Sequence, residues 1–406
     1  MHALKAEMIC TGSELLSGKL NLYVPLFHER LAGLGFRITR EQSSGDDIGE
    51  ISSCMAGALE RSALVLVCGG LGPTFDDVTR QAAARTLKRR LVRSKACEKI
   101  LSASFSLRVL PPNLSDQCLQ VSGAESVENR NGTAFGEILR EGRKMMILLP
   151  GPRGEWEPMF ESSLNARIRE AFPAAPAVDL VKFRIAGLSE PRAETLLRPV
   201  IRKFPGASFT ILTGPGTVDF TASAPAAAGL LKKIKPFCAG ILKEKLYGYG
   251  DETLALAAGK KLAAAGKTLS AAESCTGGLA SGLLTSVPGC SRYFLGAAIA
   301  YSNSAKTGVL GVKASTLKKY GAVSAQCARE MALGAAKKFK SDYAFAVTGI
   351  AGPDGGTPDK PVGLVFFALA EGKRTIMFER RFRHSRAHIR ACAANFILDE
   401  LRKILE

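Results

Sequence analysis

Ala63-Leu64-Val65-Leu66-Val67-Cys68-Gly69-Gly70-Leu71-Gly72-Pro73 is the stretch on which the fold turns. An unbroken apolar run that ends in a Gly-rich turn is the pattern of a strand buried on both faces, as in the middle of a parallel sheet. Upstream, strand-like and helical runs alternate: Ala6 to Thr11, Val24 to Gly33, Arg37 to Arg40, Ile48 to Glu60. Downstream, a helix is expected from about Asp76 to Leu87, and a later strand, Met145 to Leu149, ends in Pro150-Gly151-Pro152. Such alternation predicts a parallel sheet with crossover helices. Ligands in open sheets of this kind lie beyond the carboxyl ends of the strands, so the turns after Val67 and Leu149 are the expected places for a site.

The rest of the chain reads as two further modules. Val181 to Ile185, Ser208 to Leu212 and Val218 to Ala222 read as strands around a helix at Arg192 to Lys203, a small α+β module over residues 170–249. Gly248-Tyr249-Gly250-Asp251 reads as a hinge, with Asp251 as the expected N-cap of a helix Leu254 to Ala265. Residues 250–406 then alternate again. Strands are expected at Thr268 to Ala271, Phe294 to Tyr301, Tyr343 to Thr348, Gly363 to Leu369 and Thr375 to Phe382. Helices are expected at Gly277 to Thr285, Ala325 to Lys340 and Ala387 to Leu405. The expected fold class is therefore α/β: layered α/β domains over 1–169 and 250–406, joined by the α+β module.

Composition narrows the function classes. The 406 residues are 46% hydrophobic and 23% charged, as in ordinary globular proteins. No window approaches the roughly 18 apolar residues that cross a bilayer, and Met1 to Glu7 carries no apolar export segment, so a cytoplasmic location is expected. Ten cysteines without CxxC pairs suit reduced, mostly buried thiols rather than a disulfide framework or a zinc knot. The net charge of +18 would attract phosphorylated substrates. The basic runs, such as Lys88-Arg89-Arg90 and Lys337-Lys338, lack interleaved aromatics, which argues against nucleic acid as a partner. Gly12 to Lys19 and Lys261 to Thr268 both miss the phosphate-loop spacing, which excludes a P-loop nucleotidase.

Chemistry concentrates at Ala272-Glu273-Ser274-Cys275-Thr276-Gly277-Gly278, between a strand and an apolar-periodic helix. A hydroxyl on such a turn is held outward, and the helix-start amides are expected to be free for an oxyanion. Ser274 is placed like a nucleophile; a plain helix cap is the other reading of Ser274 or Thr276. Cys275 is a rival nucleophile, but the histidines, His2, His28, His384 and His388, are all distant in sequence. A hydroxyl nucleophile without histidine needs another base. Lys306, in Tyr301-Ser302-Asn303-Ser304-Ala305-Lys306 after the next strand, can serve if burial lowers its pKa. A third junction, Val347 to Pro358, is Gly-rich and brings amides and hydroxyls to the same sheet edge. In the N-terminal domain, Thr11 to Leu16, Gly45-Asp46-Asp47 and Gly69 to Asp77 set acidic side chains beside Gly-rich turns, which suits a divalent cation and a phosphate-bearing ligand. Asp46 and Asp76 read equally well as helix caps.

Together these segments resemble the CinA family over nearly the whole chain. Thr11 to Gly18, Gly69 to Asp77 and Leu149 to Pro152 resemble a molybdopterin-binding-like (MoCF) domain. Ala272 to Gly278, Tyr301 to Lys306, Gly321 to Ser324, Thr348 to Pro358 and Lys360 to Gly363 resemble the nicotinamide-nucleotide amidohydrolase domain. The resemblance implies hydrolysis of the carboxamide of nicotinamide mononucleotide (NMN) to nicotinic acid mononucleotide and ammonia, in pyridine nucleotide recycling and without a cofactor. It implies Ser274 as nucleophile, Lys306 as base and acid, and Tyr301 assisting. Cys275, Thr276, Gly277, Asn303, Thr348, Gly349, Thr357 and Arg390 would surround the substrate. The family's Gly-Asp-Arg before the last helix reads His384-Ser385-Arg386 here, which leaves open which arginine meets the phosphate.

For the N-terminal domain the resemblance implies an ADP-ribose pyrophosphatase that uses Mg, Mn or Co. Its ligand residues would be Thr11, Gly12, Ser13, Glu14, Asn21, Gly70, Gly72, Pro73, Thr74, Gly132, Pro150 and Gly151, with Asp46, Asp76 and Asp77 at the metal. The sequence departs from the family at Asn21-Leu22-Tyr23, at Leu114-Ser115-Asp116-Gln117 and at Phe135. These departures would weaken phosphate binding and leave open the alternative of a nucleotide- or pterin-binding protein whose N-terminal domain no longer catalyses. A homodimer is also implied.

Overall fold

The computed structural model describes residues 3–107, 109–173, 175 and 177–405; His2 lies outside them. The chain divides into two compact units, residues 1–180 with 224–229, and residues 181–223 with 230–406.

The first unit is built on a six-stranded sheet. Its strands are β1 (Leu4–Thr11), β2 (Phe36–Ser44), β3 (Leu64–Cys68), β6 (Glu125–Val127), β7 (Gly136–Glu141) and β8 (Lys144–Leu149), in the order β2-β1-β3-β8-β7-β6; β4 (Leu91–Arg93) and β5 (Leu119–Val121) form a separate pair. The first four in that order are parallel, and β7 and β6 add antiparallel. β3 lies inside the sheet and is buried at every position. Its alternate side chains feed two cores: Leu64, Leu66 and Cys68 face Phe27 and Trp156, while Val65 and Val67 face Ile51 and Met55. That double burial is why its sequence is continuously apolar.

The second unit carries two sheets. One is four-stranded, from β9 (Val178–Ala186), β10 (Ser208–Gly214), β11 (Thr217–Pro225) and β12 (Leu246–Tyr249), in the order β10-β11-β9-β12. It shares a core with the helices Glu190–Lys203 and Leu231–Leu242. The other is five-stranded, from β13 (Leu269–Glu273), β14 (Phe294–Ile299), β15 (Tyr343–Gly349), β16 (Leu364–Glu371) and β17 (Arg374–Arg381), in the order β14-β13-β15-β16-β17. β14, β13 and β15 are parallel and the last two antiparallel. Its faces differ in side-chain size. Leu269, Phe345 and Val347 pack under the helices Leu254–Ala265 and Arg386–Ile404, whereas Ala272, Ala344 and Ala346 meet Ala328, Ala332 and Ala335 of the helix Ala325–Phe339. Small residues on both partners let that helix lie close to the sheet.

Several local expectations are corrected. Asp251 does not cap the helix Leu254–Ala265; Thr253 does, its hydroxyl accepting from the Leu256 amide. The cap of Ile48–Arg61 is Asp47 rather than Asp46. The helix expected from Asp76 begins at Thr79, because Thr74 and Asp77 form a turn of their own. All ten cysteines are unpaired, eight of them buried.

Candidate active site and strand-end cavity

β13, β14 and β15 are parallel neighbours, so their carboxyl ends present three junctions at one edge. Glu273 is in register with Ile299 on one side and Val347 on the other. Ser274 is the next residue, its amide donating to the Val347 carbonyl at 2.9 Å. After β14 the chain turns into the helix Asn303–Leu310, capped by Ser302. One turn along, Lys306 points back into the core and is 1% exposed.

The Lys306 Nζ lies 3.0 Å from Ser274 Oγ, 2.9 Å from the Ala300 carbonyl and 3.0 Å from the Tyr301 carbonyl. The carbonyls can only accept. They therefore take two N–H bonds and leave the third tetrahedral position of the nitrogen aimed at the serine hydroxyl. Burial lowers the Lys306 pKa, against the smaller opposing influence of the Cys327 and Cys275 thiols. No carboxylate pairs with its nitrogen among the described residues. The amine thus has the position and the depressed basicity of a general base for Ser274.

The helix-start amides are not free, contrary to expectation. The fully buried Glu273 carboxylate accepts from the amides of Gly278 at 2.9 Å, Ala280 at 3.3 Å and Ser281 at 2.8 Å, and from the Ser281 hydroxyl. Glu273 locks the turn that carries Ser274, a role the sequence reading did not assign. The signal was an acidic residue within reach of a helix start. The amides of Cys275 and Thr276 have no backbone acceptor among the described residues, and the Thr276 hydroxyl is buried without a partner. Burial pushes the Cys275 thiol up to about 12. Burial thus disfavours the thiolate that a cysteine nucleophile needs.

The other expected residues divide. The Tyr301 phenol accepts from Arg386 at 2.9 Å, and its carbonyl, rather than its ring, holds Lys306. Arg390 donates to the Thr276 carbonyl at 2.7 Å and borders Gly277. Thr348 is buried and donates to the Ala322 carbonyl. Gly349 is required by packing, since a Cβ there would fall 2.7 Å from the Leu364 carbonyl oxygen. Thr357 accepts from the Lys360 amide inside a turn, and Asn303 is exposed on the first turn of its helix. Arg386, left open by the sequence, also donates to the Gly352 carbonyl. Neither Arg386 nor Arg390 has a carboxylate partner among the described residues.

The first unit holds a cavity of about 800 Å³ at the carboxyl ends of β1, β3 and β8. Thr11, Gly12, Glu14, Gly70, Gly72, Pro73, Thr74, Pro150, Gly151, Asp46, Asp76 and Asp77 all line it. Ser13, Asn21 and Gly132 do not. Ser13 instead donates through its amide and hydroxyl to Asp46, Asn21 bonds Glu41, and Gly132 packs on Glu155. Tyr23, Arg153 and Trp156 line the cavity without having been expected there; the indole N–H of Trp156 has no acceptor. The three aspartates expected at a metal share this cavity without meeting at one point. Among the described residues no three acidic, histidine or cysteine side chains converge on a point that could hold an ion. One oxygen of Asp46 is taken by Ser13, and one of Asp77 by Thr74. Among the described residues these carboxylates do not form a three-ligand cage. No helix among the described residues is long and apolar enough to cross a membrane.

Comparison with known proteins gives this geometry a lineage. Residues 251–405 match the CinA C-terminal domain and residues 7–170 a probable molybdopterin binding domain. A CinA-like protein of Endomicrobium trichonymphae is 37% identical, with 99% of each chain covered. A putative competence-damage inducible protein of Acetivibrio thermocellus is 36% identical, with 98% of each covered. Among solved structures, the competence/damage inducible protein CihA from Agrobacterium tumefaciens is 39% identical over 38% of this chain and 94% of its own, with a TM-score of 0.37. Matched on both domains and aligned with full-length relatives from end to end, the chain belongs to the CinA family.

Proposed function

We propose that the second unit is an amidohydrolase acting on NMN, with Ser274 as nucleophile and Lys306 as its base. The observation that carries this reading is the 3.0 Å contact between Lys306 Nζ and Ser274 Oγ, with both remaining amine hydrogens committed to carbonyls. In the first step Ser274 Oγ bonds to the carboxamide carbon while its proton passes to Lys306. The tetrahedral intermediate collapses as Lys306 returns that proton to the amide nitrogen, and ammonia leaves. Water, deprotonated by the same amine, then cleaves the ester, releasing nicotinic acid mononucleotide and restoring the serine. The Cys275 and Thr276 amides, which have no backbone acceptor among the described residues, are the donors assigned to the developing oxyanion, since Glu273 holds those further along.

Arg386 and Arg390 supply the recognition of the phosphate. Both stand at the amino end of a 19-residue helix, where its dipole disfavours cations, and both bond only neutral acceptors. An incoming phosphate relieves both conditions. The direct test is ammonia release from NMN by the purified protein without added metal, beside Ser274→Ala and Lys306→Ala. Release by wild type and its loss in both variants is expected. Equal release by a folded Ser274→Ala protein would reject the mechanism.

A second reading applies to the first unit. Its 800 Å³ cavity at the strand ends favours binding of a phosphorylated nucleotide such as ADP-ribose. An assay with Mg²⁺, Mn²⁺ or Co²⁺ separates the two forms of this reading: cleavage of ADP-ribose marks a pyrophosphatase, and binding without turnover marks a domain that only binds.

A further inference from the structure

Tyr301 is bonded at both of its ends to residues of the site. It lies between β14 and Ser302, the cap of the helix Asn303–Leu310. The backbone on either side of it is fixed: the Ala300 amide donates to the Glu273 carbonyl at 2.8 Å, and the Lys306 amide to the Ser302 carbonyl at 3.1 Å. Tyr301 itself makes two hydrogen bonds among the described residues. Its carbonyl accepts from Lys306 Nζ at 3.0 Å, and its phenol accepts from Arg386 Nη2 at 2.9 Å. Because the side chain is 60% exposed, Arg386 is the polar contact that fixes where the ring points.

Arg386 is a bridge in its own right. Its Nη1 donates to the Gly352 carbonyl at 2.8 Å, in the Gly-rich segment after β15, while Nη2 reaches Tyr301 after β14. A guanidinium carries five N–H groups. Two are used here, and the other three suffice for a bidentate grip on a phosphate that disturbs neither bond. One side chain can therefore join a phosphate to the residue whose carbonyl aims the base. Both present acceptors are neutral and the guanidinium is exposed at a helix start, so an anion adds most of what can hold it still.

We propose that Arg386 is a positioning residue that carries recognition of the phosphate to the base. A gripped phosphate fixes the guanidinium, the guanidinium fixes the Tyr301 ring, and the Tyr301 carbonyl holds Lys306 with its lone pair on Ser274 Oγ. This rests on the amidohydrolase reading of the second unit. It adds that the phosphate, a ribose away from the carboxamide, raises kcat as well as affinity, because part of its binding energy is realised as orientation of the base. Arg390 bonds the Thr276 carbonyl instead, and its share of the phosphate goes to affinity.

The test separates the phosphate from the amide. Nicotinamide riboside, which is NMN without its phosphate, serves as substrate of the full chain, and inorganic phosphate is added separately while ammonia release is followed at saturating riboside. In wild type, phosphate is expected to raise kcat for the riboside about ten-fold, the effect of one charge-assisted hydrogen bond. Arg386→Lys keeps the charge without the fork, and Tyr301→Phe keeps the ring without the phenol. In each, the ratio of rates with and without phosphate should fall to unity, at whatever rate the variant shows without it. In Arg390→Lys the ratio should persist, with more phosphate needed to reach it. A phenol that served the amide directly would slow both rates in Tyr301→Phe and leave the ratio intact, which would overturn the link. A wild type that hydrolyses NMN but whose riboside turnover ignores phosphate would also overturn it and leave the amidohydrolase standing. No ammonia from NMN would overturn both.

Discussion

Lys306 shows how one side chain acquires chemistry from its surroundings. An exposed lysine is an ammonium at neutral pH; this one is buried to 1% and bonded to two carbonyls, so deprotonation costs it less than usual. With its pKa lowered below the ordinary 10.5, kcat/KM for NMN should rise with pH and level off below that value. A profile that levels only at or above it would reject Lys306 as the base. The same shift has a stability consequence. The unfolded chain binds the proton more tightly than the folded one, so between the two pKa values folding becomes more favourable as pH rises. Wild-type stability relative to Lys306→Met should therefore increase as pH rises from the lowered folded-state pKa toward 10.5, measured by thermal unfolding. Cys275→Ser should keep most of its activity, since the thiol it replaces is pushed up to about 12. A dead, folded Cys275→Ser protein would return the nucleophile to the thiol.

The turn between β13 and its helix is decided by Glu273. Its carboxylate gathers three amides and a hydroxyl, in effect closing the helix start onto the strand end. Glu273→Gln replaces one acceptor oxygen by a donor that faces amide hydrogens. A loss of about 1.5–3 kcal/mol is expected in denaturant unfolding, as for hydrogen bonds to a charged group. If the turn also positions Ser274, kcat should fall while KM for NMN stays near wild type. Gly349 teaches the opposite lesson about a residue in a functional-looking motif. A Cβ there would collide with Leu364 backbone, so Gly349→Ala should lower stability without changing KM in the folded fraction. A raised KM would restore it to the substrate site.

The two compact units each have their own cores and their own candidate site. Trp156 is the chain's only tryptophan and lines the larger cavity of the first unit, so its fluorescence reports ligand binding there. Ser274→Ala, which should abolish ammonia release, is expected to leave ADP-ribose titrations of that fluorescence unchanged. A shifted titration would mean that the two sites are coupled.

Read alone, the sequence determined the α/β class, the buried β3 run and the junctions that carry Ser274, Lys306 and the Gly-rich turns. These are legible because strand burial and helix periodicity write themselves into local pattern, and turns into glycine. Tertiary structure decided the rest. Only folding brings Lys306 within 3.0 Å of Ser274, aims its lone pair by way of the Ala300 and Tyr301 carbonyls, and sets Glu273 on the helix start. Caps went to Thr253 and Asp47 rather than their acidic neighbours, and Asp46, Asp76 and Asp77 share a cavity without converging. Backbone acceptors, burial and the direction of a side chain depend on residues far apart in the chain, and no local pattern records them.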